Sequence, residues 1–412
     1  MKMSKKWCEN VAKYLVIIWY FALGISQGAF ADVITQWNQT SLTVVTNVKM
    51  SPGHANRAIA LVHTAIYEAC NAITQRYVES EFAIKAHPQA SIEAAVASAS
   101  RQMLLAIVPQ QADVINQAYQ EALGKLSNGA AKQDGILVGQ SAAKSVLQNR
   151  EGDVDAYPDT YRPITSAGIY VPTTLPAASF WSKRIPWLLT SVSQFRAAPP
   201  PQLESVDWAR DFNEVKRLGR VDSQSRTAEQ TKVAKFWQAT LPPIYHGIID
   251  SVVSMPNRDI TQNARFFAAS TRAIDDALIA VFEAKYYYHF WRPITAIRNA
   301  DIDNNPDTSL DPSWQPYIPT PMHPEYPCAH CVVASTLGNV IKAELGNIPT
   351  PILSTQSSTA NNEQRSWDNI DEFMQEVSSA RIYDGVHYRF STEAGVKMGE
   401  EIARLAVRTY YQ

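Results

Sequence analysis

From Asn257 to Arg292 the chain runs for 36 residues without a glycine or a proline. Those two residues are the ones that interrupt helices, so the run predicts a single long helix starting at about Thr261. At 1.5 Å per residue such a helix would be about 48 Å long. Shorter segments also read as helix. Ala58 to Ala72 has apolar residues close to helical spacing, and Ser91 to Val108 opens on a capping residue and stops at Pro109. Gln110 to Leu126 and Ala130 to Gln148 are rich in Ala, Gln, Leu and Lys, and these four segments could close a bundle. Further helices are expected at Val206 to Leu218, at Thr227 to about Ala239 (with Gln230 completing a capping box), at His330 to Leu345 and at Thr392 to Tyr410. Strand signals are few and isolated. The expected fold is all-α, two packed helical halves built as bundles.

Eight of the 24 prolines fall between Glu151 and Ser205. That stretch reads as a long crossing between the halves. Tyr170, Phe180, Trp181 and Trp187 argue that it packs, because disordered segments are poor in aromatics. The expected organisation is therefore 1–31, a signal peptide; 32–150, an N-terminal helical part; 151–205, the Pro-rich crossing; and 206–412, a C-terminal helical domain. Lys2, Lys5, Lys6 and Lys13 precede or flank an apolar run from Tyr14 to about Leu23, and Ala29-Phe30-Ala31 forms a small-x-small cleavage signal before Asp32. An uncleaved anchor is the other reading, but Gly24, Ser26, Gln27 and Gly28 close the run too early for a comfortable span. No later stretch is apolar enough to cross a bilayer, so no stable membrane insertion is expected, and the protein is expected in the periplasm or secreted. Hydrophobic residues at 46 % and charged residues at 18 % exclude wholesale disorder. A formal charge of −2 argues against a nucleic-acid partner bound through a broad basic field. Of the four cysteines, Cys8 lies in the leader; Cys70, Cys328 and Cys331 are too few for a disulfide framework.

Three stretches of the second half carry chemistry. In Lys285-Tyr-Tyr-Tyr-His-Phe-Trp-Arg292-Pro293 the two cations are two helical turns apart and should share a face. Two solvated charges on an amphipathic face would be the plainer reading. The five aromatics and His289 between them instead suggest burial, and two buried cations need an anion. His323-Pro-Glu-Tyr-Pro-Cys328-Ala329-His330-Cys331 directly precedes an expected helix, whose free amides also suit an anion. In Ala380-Arg381-Ile-Tyr-Asp-Gly385-Val-His387-Tyr-Arg389-Phe-Ser391 the six-residue spacing of Arg381 and His387 does not share a helical face, but Gly385 allows a turn between them. Ser391 is a candidate cap for the last helix, and Arg389 reads as a surface charge. Together, Lys285, Arg292 and Arg381 with His330 and His387 can enclose one tetrahedral oxyanion.

Lys285-x6-Arg292-Pro293, then Pro327-Cys-Ala-His330, then Ala380-Arg381-x5-His387 resembles the three-part signature of vanadium-dependent haloperoxidases and type 2 phosphatidic acid phosphatases. The intervening gaps are 33 and 49 residues. Trp37-Asn38, Arg57 to Ile73, and Asp211 to Gly219 with Arg226-Thr227 extend the resemblance to bacterial secreted haloperoxidase-like proteins. The resemblance implies an all-helical fold with an oxyanion pocket in the C-terminal half. It implies that Lys285, Arg292 and Arg381 hold equatorial oxygens of vanadate, or of phosphate in the same site. His387 would bond to vanadium or attack phosphorus, His330 would be the general acid-base, and the Ala329 amide would donate. His323 stands where several bromoperoxidases of the family carry His and chloroperoxidases carry Phe.

The function implied is peroxide-driven halide oxidation on a His-bound vanadate, with hydrogen peroxide and halide as partners. The alternatives are an acid phosphatase that acts on a phosphomonoester through a phosphohistidine, or a degenerate, non-catalytic oxyanion binder. Four positions depart from the signature. Cys328 replaces a Ser whose hydroxyl donates to the anion; a thiol is a weaker donor, and a thiolate would repel it. Ala329 replaces Gly, Ala380 replaces Ser, and Ser391 stands where the phosphatases have Asp. A neutral hydroxyl there cannot raise the basicity of His387 as a carboxylate would. A zinc site among His323, Cys328, His330 and Cys331 competes, although structural zinc sites normally combine two separated ligand pairs. Cys328-Ala-His-Cys331 is also formally a Cys-x-x-Cys redox motif, but the expected βαβ context is absent, and a structural Cys328–Cys331 or Cys70-linked disulfide is the better reading. His54, His63, His87, His246 and His289 read as core or surface histidines, and Ser51-Pro-Gly-His54 as a chance echo of the phosphate motif.

Overall fold

The structure is a computed structural model and describes residues 32–78, 82–153, 161–240 and 242–411. The expected signal peptide lies outside the described residues. From Val33 onward these residues form one compact unit. Thirteen α-helices are found among them: α1 Val33–Asn47, α2 Pro52–Thr74, α3 Ile92–Ile107, α4 Ala112–Gly124, α5 Ala130–Asn149, α6 Val206–Leu218, α7 Ala228–Phe236, α8 Pro243–Val253, α9 Ile260–Tyr288, α10 Pro293–Arg298, α11 Ala329–Leu345, α12 Ile370–Tyr383 and α13 Arg389–Tyr410. One antiparallel hairpin, β1 Leu353–Ser357 and β2 Glu363–Trp367, pairs Leu353 with Trp367 and Ser357 with Glu363. The fold is all-α, as expected. No described helix is long and apolar enough to cross a membrane.

The caps read at Ser91 and Thr227 form where expected. Ser91 accepts the Ala94 amide at 3.1 Å, and Thr227 and Gln230 close a capping box on α7. Asp259 and Gln262 close another at the start of α9. That helix stops four residues short of Arg292. His289 takes a left-handed conformation at φ 51° and donates its amide to the Lys285 carbonyl. Pro293 enforces the stop, because a residue before proline is pushed out of the helical region, and Arg292 is extended at φ −79°, ψ 154°.

The long helix is buried for most of its length and packs against α2, α11 and α13. The first four expected helices, α2 to α5, pack on one another, and α2 also packs on α9. One hydrophobic cluster takes in Ile34 and Val62 from the first half and Phe267, Leu337 and Tyr410 from the second. The Pro-rich crossing packs onto α9. Asp276 accepts the backbone amides of Trp187, Leu188 and Leu189 at 2.7–2.9 Å, and Asp275 accepts the Trp187 indole N–H at 2.7 Å and pairs with Arg57. Further along it, Ile169 bridges Phe290, and the Tyr170 amide donates to the His289 carbonyl at 2.6 Å. These bonds clamp the turn between Lys285 and Arg292 in place.

Candidate active site

The three stretches converge on one buried place. Lys285, at the end of α9, is fully buried and donates to the carbonyls of Pro324 at 3.1 Å and Glu325 at 2.7 Å. Arg292 reaches the same loop from beyond the turn. Its Nε donates to the His323 carbonyl at 3.0 Å, and Nη1 to the Val386 carbonyl at 2.8 Å. The two cations meet through this turn, not by sharing a helical face as the two-turn spacing suggested.

Arg381 leaves α12 just before Gly385, whose φ of +82° lets the chain reverse toward His387. The His387 amide closes that turn on the Arg381 carbonyl at 3.1 Å. Arg381 forms a buried ion pair with Asp384 at 2.8 Å and donates to the Trp237 carbonyl at 2.8 Å, while its Nε has no partner.

His387 is fixed from both sides. Its Nε2 is 3.3 Å from Arg292 Nη1, and its Nδ1 is 2.6 Å from the Glu325 carboxylate. A guanidinium only donates, so Nε2 carries the lone pair and the Nδ1 proton goes to Glu325. Burial, with Arg292, Lys285 and Arg381 adding to it, holds the ring well below the usual histidine range. It is therefore a neutral imidazole with a nucleophilic Nε2. Burial pushes the Glu325 carboxyl up to about 7 against the pull of Lys285 and Arg292.

The same logic sets the other rings. Arg292 Nη2 donates to His323 Nδ1 at 3.0 Å. His330 Nε2 faces the Ala239 carbonyl at 3.3 Å, which leaves Nδ1 as a proton acceptor. Burial and Arg381 hold His330 well below its ordinary value.

The site gathers three buried cations around two buried carboxylates, Glu325 and Asp384. Burial lowers Lys285 well below its usual range and brings Arg292 down to about 10. A bound anion would reverse both trends, and the unpartnered Arg381 Nε supplies a donor. This donor set fits a tetra-oxo anion with a nitrogen bond at His387.

One expected contact changes. Cys328 and Cys331 form a disulfide, so Cys328 has no S–H to donate and no thiolate to repel an anion. What this position offers is the amides at the start of α11, Ala329 among them. The pairing also removes two of the four ligands a zinc site would need, and no metal-ligand cluster occurs among the described residues.

Ser391 is not a cap: α13 begins at Arg389, and Ser391 lies buried in its first turn with Oγ 3.5 Å from His387 Nδ1. Arg389 is partly exposed and pairs with Glu214. Sequence reasoning missed Glu325. It looked for a carboxylate four residues after His387, whereas the fold brings one from the His323–Cys331 stretch. The glutamate was visible between two prolines two residues after His323, and nothing local assigned it a partner.

A cavity of about 640 Å³ opens over the site, with His323, Ala329, His330, Arg381 and His387 in its wall. His54 is in the same wall, so the Ser-Pro-Gly-His54 echo stands beside the site it imitates.

Residues 265–412 match the family model described as the VCPO second helical-bundle domain. The vanadium chloroperoxidase of Curvularia inaequalis is 23 % identical over 285 residues, a match covering 53 % of this chain and 46 % of that protein. The match thus spans about half the length of that curated relative. A bacterial vanadium-dependent iodoperoxidase structure superposes with a TM-score of 0.76 at 22 % identity, covering 92 % of this chain and 96 % of that one. A holo-type bacterial vanadium-dependent chloroperoxidase superposes with a TM-score of 0.72 at 16 % identity, over 88 % and 92 % of the two chains.

Proposed function

We propose that the chain is a member of the vanadium haloperoxidase superfamily and a vanadate-dependent, haloperoxidase-type enzyme that oxidises halide with hydrogen peroxide; the match of residues 265–412 to the VCPO second helical-bundle domain supports the reading. The observation that carries the reading is His387: a buried, neutral ring with its Nε2 lone pair among three cations and its Nδ1 proton held by Glu325. Lys285, Arg292 and Arg381 would hold and neutralise the anion's oxygens, and His387 Nε2 would bond to its central atom. Vanadate bound there supplies an electrophilic centre at which peroxide becomes able to oxidise halide. Glu325 keeps the His387 tautomer fixed, so that Nε2 never carries the proton. His330 Nδ1 would take a proton from the incoming peroxide, and its place in the cavity wall gives it that access. The cavity's apolar walls limit competing water.

A phosphomonoesterase is the second reading, and Glu325 favours it. The loss of the phosphatase aspartate at Ser391 no longer leaves His387 without a carboxylate. In that chemistry His387 Nε2 would attack phosphorus, His330, charged only once the phosphate's negative oxygens face it, would give its proton to the leaving alcohol, and water would then release phosphate from the histidine.

One experiment separates the readings. Vanadate-loaded protein should brominate a phenolic dye only with bromide and peroxide both present, and His387→Ala should lower the rate by about 10³-fold or more. Hydrolysis of 4-nitrophenyl phosphate that vanadate inhibits would instead select the phosphatase. Folded protein that binds vanadate but shows neither activity would be a degenerate oxyanion binder. The leader read at residues 1–31 places the enzyme, in this proposal, outside the cytoplasm, where peroxide and halide reach it directly.

A further inference from the structure

Away from His387, the surface carries an open groove of about 980 Å³ whose walls come from three elements. Helix α1 presents Gln39, Thr43 and Asn47, which recur at helical spacing on its exposed side. Helix α8 and its cap present Gly247, Ser251 and Ser254 at the same spacing. The hairpin presents Gln356 and Gln364, a cross-strand pair, both exposed. The groove is set by how closely the hairpin packs on α8. A Cβ at Gly247 would meet the Thr355 hydroxyl at 2.4 Å, and Ser251 Oγ ties the strand down by accepting the Ser354 amide at 2.9 Å.

The chemistry of the lining is one-sided. Thirteen of its twenty described residues carry an amide or a hydroxyl, and only Asp250 can carry a charge. The groove of about 950 Å³ beside α6 is lined mostly by charged groups, Arg217, Arg220 and Asp222 among them. Neutrality is therefore a property of this groove and not of the surface at large. Asp250 is half-buried in its wall. Asn38 donates to one carboxylate oxygen at 3.3 Å and Gln39 to the other at 2.8 Å. A carboxylate offers about four lone-pair sites, so two are left to accept from a ligand. Both partners are neutral, and burial pushes the group up to about 7. A further donor would favour its charged form. Ile352, 63 % exposed, adds an apolar face at the rim.

We propose that this groove binds a short, uncharged carbohydrate, its hydroxyls exchanging hydrogen bonds with the amide and hydroxyl side chains and donating to Asp250, and the C–H face of one ring resting on Ile352. The volume lies at the upper end of the range for small-molecule sites. A sugar hydroxyl both donates and accepts, as the side chains of Gln, Asn, Ser and Thr do. An anion would meet one carboxylate and no cation. A cation would be drawn to Asp250 alone and could use none of the hydroxyl and amide donors. An apolar body would strip these groups of water and return no hydrogen bond. The inference goes beyond the oxyanion chemistry and does not rest on it.

The test is a calorimetric titration of the purified full chain with four neutral trisaccharides, maltotriose, cellotriose, laminaritriose and chitotriose in its N-acetylated form. Trigalacturonate and spermidine serve as the charged counterparts. At least one neutral trisaccharide should bind one to one with a Kd of about 1 mM or tighter. Both charged compounds should bind it at least tenfold more weakly. Gln356→Ala, an exposed position, should weaken the trisaccharide about tenfold, the usual effect of one lost hydrogen bond to a ligand. Thr43→Trp, also exposed, fills the groove and should weaken it at least tenfold. Asp250→Asn should do the same, and melting curves check that each variant is folded. If Asp250→Asn does not fold, the two exposed variants decide. No saturable binding of any neutral trisaccharide overturns the proposal. Binding that the folded variants leave unchanged overturns the groove as its place. Tighter binding of trigalacturonate or spermidine overturns the ligand class.

Discussion

At the scale of single residues, Glu325 decides the chemistry of His387. Removing its charge while keeping its shape tests this. Glu325→Gln can still accept from Nδ1 but no longer stabilises positive charge on the ring. We expect vanadate affinity to fall about 10–100-fold, the usual cost of losing a carboxylate behind a metal-bound histidine. Thermal stability of the anion-free protein should fall, because the buried Lys285 and Arg292 lose a compensating charge. Equilibrium dialysis and a melting curve read the two separately; unchanged affinity would show that Glu325 only packs. Cys328 shows the opposite relation between sequence and role. In the sequence it reads as a poor substitute for a serine donor, and in the fold its sulfur is taken up by Cys331. Which of thiol, thiolate or disulfide it is depends on where another sulfur lies, and spacing alone does not state that.

At the scale of elements, the site is made at helix ends. Lys285 and Arg292 flank the stop of α9, and Arg381 and His387 flank the turn from α12 to α13. Gly385 holds that second turn at φ +82°, and a Cβ there would meet the Gly219 carbonyl oxygen at 2.4 Å. Gly385→Ala should therefore cost about 2 kcal/mol or more, from left-handed strain and the clash together. Vanadate binding should weaken with it, since Arg381 and His387, the proposed anion contacts, flank the turn. Urea unfolding measures the loss, and a variant as stable as wild type would refute it. The turn was legible because one glycine separates two chemically marked residues. The hairpin was not. Its inward positions on β1 are Leu353, Thr355 and Ser357, so two of the three buried side chains are polar and no hydrophobic alternation shows. Helix α12 did carry a signal, with Asn369 capping it and Ile370, Phe373, Met374 and Val377 at helical spacing. The pattern was present there and went unread.

At the scale of the whole molecule, the halves are joined by buried polar groups as well as by apolar contact. Asn38 of α1 holds His63 of α2 at 3.1 Å and His246 of α8 at 2.8 Å, both on its Oδ1. Its amide reaches Asp250 at 3.3 Å. Phe267 of α9 stacks on His63 at 4.3 Å. Burial lowers His246 to about 3 and puts His63 well below its ordinary value, so both are neutral when folded. The contribution of His246 to stability is complete above about pH 6.5 and is lost as pH falls toward 3, at ~1.4 kcal/mol per pH unit, and His63 acts in the same direction. Burial pushes Asp250 the other way, up to about 7, so its contribution is lost as pH rises. A variant comparison isolates the histidine. His246→Asn should lose stability less steeply than wild type by about 1.4 kcal/mol per pH unit between pH 6 and 4, and equal slopes in urea titrations would refute the assignment. The sequence alone determined the helical class, the long helix, the caps at Ser91 and Thr227 and the three stretches that carry the candidate site, because helical periodicity and short-range spacing are local properties. Only the tertiary structure decided that Glu325 backs His387, that α2 packs on α9 so the halves share a core, and that His54 and Trp181 wall the same cavity as His387. Those are meetings of residues tens to hundreds of positions apart, fixed by which faces bury together, and no local pattern encodes them.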